Sequence, residues 1–447
     1  MLKRQMARIL TGLALLGTTA IAAPAAALGL PPPGPNPDAP ASTPARQTPP
    51  TATAASLSRA DLCRRLRAHL ARGGRRSGLF VLEAESGAVL CRRASHRRRS
   101  LASNTKLFTT AAALARFEPD QRIPTRLWRT GRLRDGVLHG NLWLVGGGDP
   151  SLGSPAFYEA YYGGLGTNLY SLVTAVKRAG IRRVTGRLYG DDTFFDRLRG
   201  VADSGYATSP YIGPLSALSF NAGYAGPTPR RFSSNPPRLA AAKLAQALGR
   251  AGVGVRERVA LRKLPEGPSR DQIGVTLSPR MSVLVNLTNV YSNNFFAEML
   301  LKRLGAKFGA RGSTAAGAAV VERFARRHRS GVHAVDGSGL TATNRASPAE
   351  VGRLLESMRE NYAGGRFVGS LAVAGREGTL AERMRGTAAE RRCRAKTGTI
   401  HGVSALSGYC FNRSGRVMVF SILMNGVTDV YRARLAQDRM AALIAGY

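Results

Sequence analysis

The sequence is poor in acidic residues, lysine, tryptophan and cysteine. Its 447 residues include 27 Asp and Glu against 65 Lys and Arg, and only eight of the basic residues are Lys. The net charge of +38 invites a nucleic-acid-binding interpretation. However, the arginines are spread along the chain in short clusters, and neither helix-turn-helix nor zinc-finger spacing accompanies them. We therefore expect no nucleic-acid partner.

Several common catalytic motifs are also missing. The chain has no Gly-x-Ser-x-Gly, no phosphate-binding P-loop, no His-Glu-x-x-His and no paired Cys-x-x-Cys, and its six histidines show no metal-ligand spacing. The apolar fraction of 44% and the charged fraction of 21% fit a globular protein with a sizeable core. The chemistry of the chain must therefore be sought in other side chains.

The amino-terminal region has the pattern of a targeting segment. Three basic residues among the first eight precede an uncharged, mostly apolar run to Ala23, and three small alanines end at Ala27. This pattern predicts a secretory signal peptide over 1–27, with an uncleaved membrane anchor as the alternative. Residues 28–57 contain nine of the 24 prolines and are predicted to be an extended linker. We expect an exported protein that is periplasmic or associated with the cell wall.

The four cysteines suit an oxidising compartment; they are Cys63, Cys91, Cys393 and Cys410. Four cysteines allow three pairings. Cys393 and Cys410 flank a short turn between two strand-like runs, which would place them side by side across a hairpin, and Cys63 would then pair with Cys91. Four free buried thiols are the alternative.

The secondary-structure pattern predicts one α/β domain interrupted by an insertion. Ser58 is a candidate N-cap for the first helix, a long helical region is expected from Met281 to Leu304, and three strand-like runs precede a carboxy-terminal helix. Helices at both ends with an antiparallel sheet between them indicate that 58–119 and 273–447 fold together. Residues 120–272 are then an inserted domain.

Two of the eight lysines lie in contexts that suggest chemistry. Ser103 and Lys106 are separated by one helical turn, so that a serine nucleophile would face its base, because a desolvated lysine can accept a proton whereas an arginine cannot. Taken alone, this pair is equally consistent with a helix N-cap followed by a surface lysine. Lys396 lies in a strand-like Lys-Thr-Gly-Thr run, where glycine allows a ligand to approach the backbone closely.

The order of three motifs is more informative than any one of them. Ser103-x-x-Lys106 is followed 189 positions later by Ser292-Asn293-Asn294, and 104 positions after Ser292 by Lys396-Thr397-Gly398. This order resembles penicillin-binding proteins and serine β-lactamases. Four further stretches make the likeness more specific, to low-molecular-mass (class C) penicillin-binding proteins of the D-Ala-D-Ala carboxypeptidase/endopeptidase type; they are 146–152, 190–196, 336–340 and 378–380.

The resemblance implies a transpeptidase-like domain, an antiparallel sheet flanked by helices, that carries a large inserted domain. It also implies a role for each motif residue. Ser103 attacks the substrate, Lys106 is its base, Ser292 relays a proton to the leaving amine, and Lys396 sets a positive field. Asn294, Thr397, Gly398 and Thr399 bind substrate. The implied ligands are peptidoglycan stem peptides ending in D-Ala-D-Ala and β-lactam inhibitors, and no metal or organic cofactor is needed.

Two alternatives to this interpretation stay open at the sequence level. A serine β-lactamase or related esterase would share the nucleophile and its base. Against it, the first two motifs are too far apart for a plain β-lactamase, and no Glu-x-x-Asn follows Ser292. A non-catalytic, cationic wall-binding protein is the second alternative, although all three motifs keep their chemical side chains. The positive charge is either a solvated surface or an attraction to anionic wall polymers or a membrane surface.

Overall fold

The structure is a computed structural model that describes residues 57–226, 228–256 and 259–447. The predicted signal peptide, and the predicted linker except for Leu57, lie outside the described residues. The α-helices are α1 (Arg59–Leu70), α2 (Thr105–Phe117), α3 (Pro155–Tyr162), α4 (Tyr170–Arg178), α5 (Pro236–Arg250), α6 (Met281–Val290), α7 (Asn294–Phe308), α8 (Thr314–Arg327), α9 (Pro348–Glu360), α10 (Gly364–Gly369) and α11 (Val430–Gly446). The strands are β1 (Gly78–Glu83), β2 (Val89–Arg93), β3 (Arg99–Ser100), β4 (Arg122–Arg134), β5 (Val137–Val145), β6 (Arg183–Val184), β7 (Leu188–Asp191), β8 (Gly254–Val255), β9 (Ala260–Leu261), β10 (Arg270–Arg280), β11 (Arg345–Ala346), β12 (Ala372–Val373), β13 (Cys393–Ile400), β14 (Val403–Phe411) and β15 (Val417–Asn425).

A six-stranded antiparallel sheet organises the main domain, in the order β12-β13-β14-β15-β1-β2. Successive side chains of a strand point to opposite faces, and β1 is apolar on both. Leu79 and Val81 are buried in a cluster with α1 and α11, whereas Phe80 and Leu82 join the larger cluster on the other face. The sheet is therefore covered by helices on both sides, as the predicted α/β class requires.

The two terminal helices cover one face together. Ser58 accepts a hydrogen bond from the backbone N–H of Asp61 (3.1 Å), so it is the N-cap that the sequence predicts. Leu62, Leu66 and Leu70 recur at helical spacing and are buried with the apolar side of α11. The chain thus returns at its end to the element with which the described fold begins.

The other face of the sheet carries a layer of helices that includes α2, α6 and α7. The helical region predicted from Met281 to Leu304 consists of two helices, because α6 ends at Val290 and α7 begins at Asn294. Ser292 is left-handed, with φ of 56°, and the side chain of Asn293 accepts from the N–H of Phe296 (3.1 Å). The turn therefore starts a new helix with its own cap.

A second sheet lies within residues 122–280, with β10-β4-β5-β6-β8 as its main path; β7 pairs with β5, and β9 pairs with β7. Asp135 and Gly136 join β4 to β5 with positive φ at both positions, the geometry of a tight hairpin turn. At its end, β10 pairs with β4 (Arg280 opposite Arg122), and it straddles the expected boundary at 272. The chain therefore leaves and re-enters the main domain at neighbouring points.

Two disulfides cross-link elements of the main domain. Cys63–Cys91 joins α1 to β2, and Cys393–Cys410 joins directly opposed residues of β13 and β14. This is the pairing that the hairpin argument predicts. In the part of the chain that the structure describes, no helix has both the length and the apolar character needed to cross a bilayer.

Candidate active site

Ser103 lies in a short 3₁₀ turn, Ala102–Asn104, that leads directly into α2. Ala102 has φ of 46°, a conformation that non-glycine residues adopt rarely. Gly339 packs against this turn so closely that a Cβ there would lie 1.8 Å from the carbonyl oxygen of Ala102. The 336–340 loop therefore supports the strained turn that presents the serine.

Lys106 follows one turn later on α2 and is fully buried. Its Nζ donates to the Oγ of Ser103 (3.0 Å), to the Oδ1 of Asn294 (2.6 Å) and to the carbonyl oxygen of Ser338 (2.7 Å). Burial lowers the pKa of Lys106 to about 7, against the charges of Asp336 and Glu298, which raise it. At neutral pH a large fraction of this amine is consequently free to accept a proton.

Two buried carboxyl groups hold the loop that lies against Lys106. Glu298 accepts from the N–H groups of Gly337 (3.0 Å) and Ser338 (2.7 Å), and burial together with the charge of Asp336 raises the pKa of Glu298 to about 8. Asp336 accepts from the N–H of Gly339 (2.7 Å) and from Asn344 Nδ2 (2.9 Å). No motif marks Glu298 in the sequence, although it follows Asn294 by four residues, the spacing that puts both on one helix face.

The second motif contributes Asn294 directly. Its Oδ1 accepts from Lys106, and its Nδ2 donates to the carbonyl oxygen of Tyr211 (3.1 Å), a half-exposed residue of the inserted block. Ser292 lies two residues earlier, at the left-handed turn, and within the described residues its side chain makes no hydrogen bond. The structure therefore joins Asn294 to Lys106, whereas the described residues show no hydrogen bond between Ser292 and either Ser103 or Lys106.

The third motif lies on β13, and the two faces of this strand have different neighbours. Lys396 and Gly398 lie next to the turn that contains Ser103. Asn104 Nδ2 donates to the carbonyl oxygen of Lys396 (3.0 Å), and a Cβ on Gly398 would lie 3.0 Å from the backbone nitrogen of Ser103. Lys396 is fully buried, and this burial lowers its pKa well below the ordinary value, with a smaller effect from the charge of Lys106. Because a Cβ would meet the backbone at this point, a glycine at 398 allows β13 to lie this close to Ser103.

The threonines of β13 point to the opposite face. Thr397 Oγ1 donates to Thr379 Oγ1 (2.9 Å), and Arg434 Nη2 donates to Thr399 Oγ1 (3.3 Å). Thr379 belongs to the 378–380 stretch that the sequence singles out, whereas Arg434 lies in no motif and could not be predicted from the sequence. Both hydroxyls are half-buried and line the end of β13 that β12 leaves unpaired.

This arrangement can perform nucleophilic catalysis by a serine and a lysine. A hydroxyl within hydrogen-bond distance of an amine whose pKa is near neutrality is the activated-nucleophile geometry. A free strand edge beside it can hold an extended peptide by backbone hydrogen bonds. In the ranges 57–226, 228–256 and 259–447, no group of three or more His, Cys, Asp or Glu side chains could hold a metal ion.

Two solved structures share the fold. Penicillin binding protein 4 (dacB) from Haemophilus influenzae matches with a TM-score of 0.71 at 19% identity, over 86% of this chain and 99% of that chain. Bd3459, described as a predatory peptidoglycan endopeptidase from Bdellovibrio bacteriovorus, matches with a TM-score of 0.53 at 18% identity, over 82% of this chain and 90% of that chain.

Sequence comparison extends the likeness to the family level. The D-alanyl-D-alanine carboxypeptidase of Actinomadura sp. (strain R39) is 30% identical over 83% of this chain and 81% of that protein. Carboxypeptidase DacB of Mycolicibacterium smegmatis is 29% identical over 91% of this chain and 86% of that protein. The model of the D-Ala-D-Ala carboxypeptidase 3 (S13) family matches residues 62–233 and 224–447. The chain therefore belongs to the D-Ala-D-Ala carboxypeptidase 3 (S13) family, a family of peptidases.

Proposed function

We propose that the chain is a serine-type D-Ala-D-Ala carboxypeptidase or endopeptidase that cleaves peptidoglycan stem peptides through an acyl-enzyme on Ser103. One observation carries the assignment of the nucleophile: Lys106 Nζ lies 3.0 Å from Ser103 Oγ, and burial brings the pKa of Lys106 to about 7. A base of that pKa at that distance suits proton abstraction at neutral pH.

Acylation begins when neutral Lys106 takes the hydroxyl proton and Ser103 Oγ attacks the carbonyl carbon of the penultimate D-Ala. The backbone N–H groups of Ser103 and Thr399 stabilise the oxyanion, each such donor being worth about 10²–10³ in rate. Ser292 relays a proton from the base to the leaving amine as the carbon–nitrogen bond breaks. Asn294, bonded to Lys106 and to the backbone of Tyr211, keeps the amine in place. Water then hydrolyses the ester and regenerates the serine.

β13 supplies the surface for the peptide. Thr397 and Thr399 hold the carboxylate next to the scissile bond, Gly398 gives the substrate close access to the nucleophile's turn, and Lys396 adds positive charge. A β-lactam presents a similar carboxylate and a reactive amide, so it acylates Ser103 in place of the dipeptide. Solved structures of the two neighbours support this: one has the Haemophilus protein complexed with a β-lactam, and another has Bd3459 acylated by penicillin G.

Release of D-alanine tests the activity. The wild-type protein should release D-alanine from an N-acylated Lys-D-Ala-D-Ala peptide, whereas Ser103→Ala should release none above background. The exposed Ser86 provides a matched serine-to-alanine control that should keep full activity. Absence of release by the wild-type protein would contradict the carboxypeptidase assignment, and cleavage of a D-Ala–diamino-acid crosslink would then be the remaining peptidase activity to measure.

A fluorescent penicillin separates the alternatives. A penicillin-binding carboxypeptidase should keep the label on Ser103 for minutes or longer. Rapid loss of the label with turnover of the drug would instead indicate a β-lactamase. A protein that never takes the label would be a non-catalytic wall-binding relative.

We also propose that the protein is exported and that its charge draws it to anionic wall polymers or a membrane surface. The Cys63–Cys91 disulfide brings α1 beside β2 and creates an exposed amino-terminal basic surface (Arg64, Arg65, Arg67, Arg92 and Arg93). Attraction to a polyanion should weaken steeply with salt. Co-sedimentation with phosphatidylglycerol vesicles and with an isolated polyphosphate wall polymer, at low and high salt, measures it. A variant with the five arginines changed to serine should bind more weakly than wild type at the same salt concentration and keep its D-alanine release.

A further inference from the structure

Arg434 brings a guanidinium to the carboxylate-binding end of β13. It is the fifth residue of α11, and its Nη2 donates to Thr399 Oγ1 at 3.3 Å. Thr399 is one of the two hydroxyls to which the proposed function assigns the substrate carboxylate. None of the three motifs includes this arginine, which lies 35 residues beyond Thr399 in the chain.

Among the described residues, Arg434 forms no ion pair, unlike its neighbours, although the charge of Asp438 acts on it from a distance. Arg432 lies 3.3 Å from a carboxylate oxygen of Asp429, and Arg383 lies 2.6 Å from one of Asp438. Across the described part of the chain, Arg434 forms no ion pair, and its only side-chain hydrogen bond is to the hydroxyl of Thr399. A guanidinium that is hydrogen-bonded only to a neutral hydroxyl can bind a carboxylate without breaking an existing ion pair.

Hydrogen bonds on its own helix and from a neighbouring loop hold the backbone of Arg434 in place. Arg383 donates to the backbone carbonyl oxygen of Arg434 (3.2 Å), and Gln437 Nε2 donates to Ser404 Oγ (3.0 Å). Ser404 lies directly opposite Thr399 in the pairing of β13 with β14. The Gln437 contact anchors the first turns of α11 to β14, and the Arg383 contact holds the backbone of Arg434 in place.

We infer that Arg434 is a substrate-binding residue, which pairs with the carboxylate next to the scissile amide and shares it with the hydroxyl of Thr399. The inference rests on the proposed function, since it deepens the recognition step of that same site. The planar guanidinium matches a carboxylate with two parallel hydrogen bonds, which a lone hydroxyl or ammonium cannot provide. Arg434 thereby selects ligands with a free carboxylate, whether the stem peptide or a β-lactam.

Two ligands that differ only in this charge provide the test. Second-order acylation rate constants are measured for benzylpenicillin and for its neutral methyl ester, with wild type, Arg434→Gln, Arg434→Lys and Arg432→Gln. Loss of a charged hydrogen bond predicts that Arg434→Gln acylates about 10- to 100-fold more slowly with benzylpenicillin and within about twofold of wild type with the ester. Arg434→Lys should recover part of the loss, and Arg432→Gln should match wild type with both.

The ester also reports on folding, because a misfolded variant would lose both reactions. Equal losses with the two ligands would overturn the inference and assign Arg434 a structural role at Thr399. Unchanged acylation by benzylpenicillin would overturn it as well. If the wild-type protein reacts with neither ligand, the proposed function itself fails; if it reacts with both and only the variant pattern is absent, the function stands and the role of Arg434 does not.

Discussion

At the scale of single residues, two buried lysines show why one is suited to be a base and the other is not. Lys302 lies 2.6 Å from a carboxylate oxygen of Asp196, so its positive charge is compensated in place. Lys106 touches only neutral acceptors, while the carboxyl groups of Asp336 and Glu298 act on it from a distance. Burial therefore acts on Lys106 with less compensation, and its proton is the more easily removed.

The first prediction is a pH dependence of acylation set by Lys106. Only the neutral amine accepts the proton of Ser103, and the pKa of Lys106 is about 7. The acylation rate constant with benzylpenicillin should rise about tenfold per pH unit below pH 7 and level off above it. Stopped-flow measurement from pH 5 to pH 9 checks this, and a rate that is flat or falls with pH over that range would contradict Lys106 as the base.

A second prediction concerns Gly398, where β13 meets the nucleophile. A Cβ there would lie 2.9 Å from the carbonyl oxygen of Leu101 and 3.0 Å from the backbone nitrogen of Ser103, and neither atom can move as a flexible side chain would. A displacement of the reacting serine by a fraction of an ångström should reduce acylation by Gly398→Ala about 100-fold. Gly365→Ala, where a Cβ meets nothing within 4 Å, is the control and should acylate normally. Near-normal acylation by Gly398→Ala would show that the contact is dispensable.

At the scale of elements, the hairpin of β13 and β14 follows closely from the sequence, and the break between α6 and α7 does not. The hairpin has two strand-like runs with a short turn between them, a local signal that fixes its register. The apolar residues on both sides of Ser292 continue at helical spacing, so periodicity predicts a helical region there without locating the break. The break depends on the capping by Asn293, and serine and asparagine near a helix start are too common to reveal it.

The site divides in the same way between local and tertiary signals. Ser103 and Lys106 are one turn apart on a single helix, so their contact is predictable from spacing. Glu298 and Arg434 acquire their roles from loops and strands distant in sequence, and nothing in their local pattern distinguishes them from structural residues. Asp336 belongs to the 336–340 stretch that carries the family likeness. Its effect on the pKa of Lys106 depends on burial, which only the folded chain reveals.

A third prediction concerns the disulfide across this hairpin. Cys393 and Cys410 are 17 residues apart, and cross-linking a loop of that length stabilises by about 3 kcal/mol in the chain-entropy model. The Cys393→Ala/Cys410→Ala variant should therefore lose about that much unfolding free energy in a urea titration. Because the bond lies at the far end of β13 from Gly398, acylation at low temperature should be preserved. An unchanged stability would show that β-sheet pairing alone fixes the hairpin.

At the scale of the whole molecule, helix α7 connects the main domain with residues 120–272, the expected inserted domain. Its first residue, Asn294, bonds to Lys106 and to the backbone of Tyr211, and two turns later Lys302 pairs with Asp196. Arg303, next along the helix, donates to the carbonyl oxygen of Gly147. Residues of the 120–272 region therefore contact the same helix, α7, that begins with Asn294 of the second motif.

A fourth prediction follows from the unequal burial of this ion pair. The side chain of Lys302 is 0% exposed and that of Asp196 is 24% exposed. Asp196→Asn leaves a buried cation without its partner and should cost about 3 kcal/mol of unfolding free energy. Lys302→Met removes the buried charge, leaves Asp196 partly in water, and should cost clearly less. Urea unfolding of the two variants gives the comparison, and a larger cost for Lys302→Met would contradict this view of the pair.

The central claim, an acyl-enzyme on Ser103, is tested most directly by intact-mass spectrometry of the purified protein after incubation with benzylpenicillin. The account predicts one adduct with the mass of the intact drug on the wild-type protein and none on Ser103→Ala. An adduct that persists on Ser103→Ala, or a wild-type protein that stays unmodified while the drug remains intact, would contradict it.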